Sequence, residues 1–132
     1  MKALDTNVLI RFLVRDDEKQ AQAVKKILVE VEKENGELFI PLSVTLEMLW
    51  VLSSVYEYPQ EDIIRALETL LVTPVFKIEK HERISHLCRI AGKGDYDLAD
   101  ILIGLTSRDN GCDTTLTFDK KAVRSGLFTL IQ

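Results

Sequence analysis

The chain has 132 residues, a formal net charge of −4 and a sequence pI near 5.2. That length suits one hydrophobic core, and a hydrophobic content of 46% is too high for a disordered segment. The acidic balance excludes attraction of a nucleic acid by global charge, so any polyanion must be met by a local basic patch or by bound cations.

Lys2 to Leu4 is a short, largely apolar start ending at Asp5, and it reads as a buried strand. A helix is expected over Thr6 to Val14. Asp16 and Asp17 can cap a second helix to about Asn35, whose apolar positions Val24, Ile27, Leu28 and Val31 follow helical spacing, with Gly36 as its stop. Leu38 to Pro41 reads as a strand. Ser43 can cap a helix from Val44 to about Tyr56, and Pro59 suits the first turn of the next, whose core face is Ile63, Leu67, Leu70 and Leu71. Val75 to Ile78 is a third strand, followed by a helix with Ile84, Leu87, Cys88 and Ala91 on one side.

Gly92 and Gly94 break that helix. Tyr96 leads into another, whose core face is Leu98, Ile101, Leu102 and Leu105 and whose end is marked by Gly111. Thr114 to Phe118 is a β-branched strand, a short helix runs to Ser125, and Leu127 to Ile131 is a last strand. Strands alternating with helices indicate an α/β domain, one unit over residues 1–132, with a mostly parallel sheet of four to five short strands covered by helices on both faces. No run of about 18 uncharged apolar residues is present, so no membrane span is expected. Asp5 and Arg11 interrupt the N-terminal apolar stretch, which argues against a signal peptide. Cys88 and Cys112 are too far apart in sequence for a disulfide framework or a zinc site; they read as reduced, buried thiols of a cytoplasmic protein.

In such a sheet the chemistry collects at the carboxyl ends of the strands. Asp5 follows the first strand and Asp119 the fourth; Glu47 lies early in the helix after the second. Asp97 and Asp100 open the helix that returns to the fourth strand, and in a right-handed crossover that helix starts at the same edge. Glu47 is the single charged residue between Glu37 and Glu57, in a helix so apolar that burial of its carboxylate is expected. Asp97 and Asp100 are three apart, where like charges repel. Each acid alone has an ordinary explanation, and Asp97 and Asp119 in particular read equally well as helix caps. Together they suggest a hard divalent cation, Mg²⁺ or Mn²⁺, because the donors are oxygens with no thiolate or imidazole set. Asp5, Glu47, Asp100 and Asp119 are the expected ligands, with Asp97 beside them. Thr6, Asn7 and Thr117 are neutral polar neighbours that could orient a water or an acid. A carboxylate cage of this kind is suited to phosphodiester hydrolysis by a metal-activated water, with no side-chain nucleophile.

Four segments carry a family resemblance. Leu4-Asp5-Thr6-Asn7-Val8-Leu9-Ile10 resembles the opening motif of PIN domains, and Leu46-Glu47 is similar to their second acidic position. Asp97-Leu98-Ala99-Asp100-Ile101-Leu102-Ile103 resembles the third motif, with Asp100 as its central acid and Asp97 as the accessory one; Ile101 stands where alanine is common. Leu116-Thr117-Phe118-Asp119-Lys120 resembles the fourth. The order and spacing hold across essentially the whole chain, and the length is most similar to that of VapC-type toxins. The resemblance implies a three-layer α/β/α PIN-like fold and a Mg²⁺- or Mn²⁺-dependent endoribonuclease. It also implies a homodimer and inhibition by a VapB-type antitoxin. An RNA-maturation role without a toxin function fits the same domain.

Two other classes compete. A haloacid-dehalogenase-like phosphatase also places Asp after its first strand, but it needs a second Asp two residues on, where this chain has Asn7. A non-catalytic cation-binding or partner-binding module would not require all the acids to be kept. His81 and His86 are five apart on one helix and do not share a face for one metal. Arg11, Arg15, Lys93, Arg108, Lys120, Lys121 and Arg124 lie near the acidic segments and could hold phosphates, although a solvated helix face is the default for any one of them. Trp50 is balanced between core packing and a surface for a partner.

Overall fold

The computed structural model describes all 132 residues, which form two compact units, Met1–His81 and Glu82–Gln132. In the first, β1 (Lys2–Ala3), β2 (Leu38–Ile40) and β3 (Phe76–Ile78) make a parallel sheet in the order β1-β2-β3, with Lys2 opposite Leu38 and Leu38 opposite Phe76. The connections are helical: α1 (Thr6–Val14) and α2 (Glu18–Lys33) join β1 to β2, and α3 (Leu42–Ser54) and α4 (Gln60–Val72) join β2 to β3. In the second unit, α5 (His81–Ala91) and α6 (Leu98–Asp109) precede β4 (Thr115–Thr117), and α7 (Lys120–Val123) leads to β5 (Phe128–Leu130). β4 and β5 pair in parallel, Thr115 opposite Phe128. The alternation of helices with parallel strands agrees with the α/β reading, and the five strands hydrogen-bond as a set of three and a set of two.

The helices bury the faces that their spacing selects. Ile63, Leu67 and Leu70 of α4, Ile84, Leu87, Cys88 and Ala91 of α5, and Leu98, Ile101, Leu102 and Leu105 of α6 are all buried, while Leu71, also expected on the core face of α4, is half-buried. In α2 the buried stripe is Ala21, Val24 and Leu28, while Ile27 is exposed. The inward face is therefore turned toward Ala21, narrower than four large residues would need. Cys112 lies at the surface, against the expectation that both thiols are buried.

Several helix ends differ from their sequence signals. Asp17 alone caps α2, accepting from Gln20 N at 3.0 Å. Asn35, not Gly36, takes the left-handed conformation that ends α2 (φ 54°). Asn35 N then donates to Glu32 O and Gly36 N to Val31 O, closing a Schellman motif. The same motif ends α6, with Gly111 at φ 84° in the left-handed position and Cys112 N donating to Ser107 O. α3 starts one residue before Ser43, with Pro41 as its cap residue and no side-chain bond of its own. The missing acceptor comes from the end of β3: Glu79 Oε1 receives Leu42 N at 2.8 Å.

Gly104, buried in α6, fixes the packing of the second unit. A Cβ there would meet Leu127 Cβ at 2.8 Å and Phe128 Cε2 at 3.2 Å. Gly104→Ala is therefore expected to destabilise the fold: overpacking costs ~1–3 kcal/mol, set against a gain of about 1 kcal/mol in helix propensity. Chemical denaturation checks this; an unchanged or higher midpoint would show that β5 can move away freely.

Candidate active site

Asp5, the N-cap of α1, has extended backbone and holds Thr6 N through Oδ1 at 2.7 Å. Asp97 caps α6, its Oδ1 receiving Asp100 N at 3.0 Å. Asp119 caps α7, its Oδ1 receiving Lys121 N at 2.9 Å, while Thr117 Oγ1 receives Asp119 N at 3.0 Å. The cap explanation is thus true of all three. It does not compete with a cation role, because each cap uses one named oxygen and fixes the carboxylate plane.

The acids fall in two pockets, one in each unit. In the second unit, Asp97, Asp100 and Asp119 line a pocket of about 210 Å³ together with Tyr96, Lys121 and Ser125. Burial, then the charges of Asp97 and Asp119, push the Asp100 carboxyl above the ordinary carboxylate range. The one cation among the lining side chains, Lys121, is turned to Asp95 at 3.1 Å, and both partners are exposed, so this pair does little to neutralise the pocket. Tyr96, whose hydroxyl donates to Arg124 O at 3.3 Å, forms part of the wall. Sequence alone did not single it out as a site residue, since its signal is only its place one residue before Asp97.

In the first unit, Asp5, Thr6, Asn7 and Glu47 line a pocket of about 290 Å³ with Arg11, Val51 and Tyr56. Thr6 is buried, but Glu47 is exposed, contrary to the expectation of a carboxylate sunk in an apolar helix. α3 has a water-facing side after all; it carries Ser43, Leu46, Glu47, Trp50 and Ser54, so its apolar residues did not all turn inward. Trp50 is 61% exposed, which decides against core packing within this chain. Asp16, expected as a helix cap, instead accepts from Arg11 Nη1 and from the Tyr56 hydroxyl. Tyr56 went unnoticed in the sequence because nothing local marks a tyrosine after a helix end.

The histidines serve local roles. His81 Nε2 lies 3.2 Å from Leu71 O. His86 Nδ1 meets Arg83 Nη1 at 3.0 Å, and burial followed by the charges of Arg83, Arg89 and Arg108 holds its pKa below the ordinary value.

The donor set fits a hard divalent cation in kind: carboxylate oxygens in excess, in a pocket where one acid is already driven toward protonation by burial and then by like charge. No group of three or more His, Cys, Asp or Glu side chains stands close enough to hold a metal. Three mutually repelling carboxylates have no reason to close further until a cation screens them.

The fold is α/β with parallel strands and acids at helix starts, and the family model of the PIN domain matches residues 2–126. The chain belongs to the PIN-domain family, and with it to the α/β/α fold class that its motifs suggest. It is similar to the VapC ribonuclease of Aquifex aeolicus (strain VF5), with 27% identity over 130 residues, covering 98% of this chain and 96% of that one. No helix is long and apolar enough to cross a membrane.

Proposed function

We propose that the chain is a divalent-cation-dependent endoribonuclease and the toxin of a VapBC-type pair. The observation that carries this reading is the second unit's pocket, where Asp97, Asp100 and Asp119 share one space and Asp100 is pushed toward its neutral form. The similarity to a VapC ribonuclease over nearly the whole of both chains supports RNA as the substrate. Asp5, Glu47, Asp97, Asp100 and Asp119 are assigned to cation binding, and Thr6, Asn7 and Thr117 to orienting the groups around them. Mg²⁺ or Mn²⁺ would supply neutralisation of the phosphodiester charge and activation of a water.

The protein's own residues set the stage for that chemistry. The caps at Asp5, Asp97 and Asp119 each engage one carboxylate oxygen and so fix the direction in which the other is presented. Thr117 orients Asp119 by accepting its backbone N–H. The same reading assigns a VapB-type antitoxin as partner, a homodimer as working form and the cytoplasm as location. The exposed Leu46, Trp50 and Val55 of the α3 region offer apolar surface for such assembly.

The test is incubation of the purified protein with total RNA and Mn²⁺, followed by mapping of the new ends. Ends sharing a sequence or structural motif are expected. Intact RNA at every protein concentration would overturn the reading. Growth arrest on expression, relieved by a co-expressed neighbouring small protein, tests the toxin assignment.

A further inference from the structure

Among the basic residues near the acidic segments, Arg11 departs furthest from a solvated helix face. Its Nη1 donates to Asp16 Oδ1 at 3.0 Å and to the Tyr56 hydroxyl at 3.3 Å, and its Nε donates to Gln20 Oε1. The Tyr56 hydroxyl closes the ring by donating to Asp16 Oδ2 at 2.9 Å. The guanidinium is thereby held from the first turn of α2, the α1–α2 connection and the end of α3, and its side chain is 27% exposed. It forms part of the wall of the pocket that contains Asp5 and Glu47. Nη2 makes no hydrogen bond within the protein.

A surface arginine that only neutralised Asp16 would not need the tyrosine or the glutamine. Three partners fix the planar fork while leaving one of its amino groups with its donors unspent, and rotamer entropy is already lost before a ligand arrives. A planar fork with open donors, beside Asp5 and Glu47, matches the chemistry of a nucleic-acid backbone phosphate. Ile10, Val51 and Val55 in the same wall give apolar surface for the sugar or base that accompanies it.

We propose that Arg11, clamped by Asp16 and Tyr56, binds through Nη2 a backbone phosphate of the RNA at the pocket that contains Asp5 and Glu47. The proposal rests on the ribonuclease reading and deepens it. Arg11 sets where the strand lies; it takes no part in bond cleavage. It therefore acts on KM, and kcat is carried by the acids.

The experiment compares the wild-type protein with Arg11→Gln, Arg11→Lys and Tyr56→Phe. Steady-state cleavage of a fluorogenic RNA in Mn²⁺ is measured at several NaCl concentrations, and binding of the same labelled RNA is measured without added metal. Arg11→Gln is expected to raise KM about tenfold, to leave kcat within about twofold, and to lower the slope of log affinity against log salt by roughly 0.7, the loss of one single-strand phosphate contact. Arg11→Lys keeps the charge and restores the slope but not the full KM. Tyr56→Phe keeps the slope and raises KM a few-fold, and it reports on the clamp even where Arg11→Gln fails to fold. A merely structural Arg11 would lower the melting temperature and leave slope and KM unchanged. If wild type cleaves and all three variants keep its KM and slope, the role of Arg11 is overturned and the nuclease reading stands. If wild type binds RNA with an Arg11-dependent slope but never cleaves it, the nuclease reading falls and the contact stands. If wild type neither binds nor cleaves, both fall.

Discussion

Asp100→Asn is expected to reduce RNA cleavage by about a thousandfold or more while making the cation-free protein harder to unfold at neutral pH. The two effects have one cause. Burial and the charges of Asp97 and Asp119 raise the Asp100 carboxyl above its ordinary value, so the folded state holds that proton to higher pH than the unfolded chain does. As pH rises from the ordinary carboxylate range to the raised folded value, the unfolded chain loses its proton first and stability falls. At neutral pH the folded protein carries the full repulsion, which a cation offsets and which asparagine removes. Melting temperatures in EDTA from pH 4 to pH 7 should therefore decline less for Asp100→Asn than for wild type. A variant that is less stable than wild type at pH 7 and still cleaves RNA would place Asp100 in an ordinary surface role.

Chelation should abolish cleavage, and Mn²⁺ or Mg²⁺, but not a monovalent ion at equal ionic strength, should restore it. Among the side chains lining the pocket of three carboxylates the one cation is Lys121, which is turned to Asp95, so a phosphodiester there needs a bound cation to offset the acids. The loss on chelation should be as large as that caused by Asp100→Asn, and the two should not add, since both remove one ion. Thermal melting supplies a second readout. A cation that binds only the folded state raises stability by about 2.7 kcal/mol at a hundred times its Kd. Full activity in EDTA, measured with metal-free RNA, would rule out the cation mechanism.

The helical faces were legible because a period near 3.6 leaves few choices: the buried residues of α4, α5 and α6 are the ones their spacing selects. The caps Asp97 and Asp119 were legible for the same local reason. Where the reading went astray, a distant partner decided. Ser43 looks like a cap, yet α3 begins earlier because Glu79, 37 residues away, supplies the acceptor. Asp16 looks like a cap, yet it is drawn to Tyr56, 40 residues away. Glu47 was expected to be buried because its helix is nearly all apolar, an inference that assumes such a helix has no outer side. α3 instead shows Leu46 and Trp50 to solvent, which periodicity cannot reveal when both faces of a helix are hydrophobic. The split of strands into β1-β2-β3 and β4-β5 is likewise a property of pairing, and pairing leaves no mark in strands of two or three residues.

Asp97, Asp100 and Asp119 are proposed to form a pocket for a hard divalent cation. Isothermal titration of Mn²⁺ into the purified protein, wild type against Asp100→Asn, tests it without reference to any substrate. Saturable binding by wild type is expected, lost or weakened by at least tenfold in the variant, with circular dichroism unchanged. Equal binding by both proteins, or none by either, would contradict it.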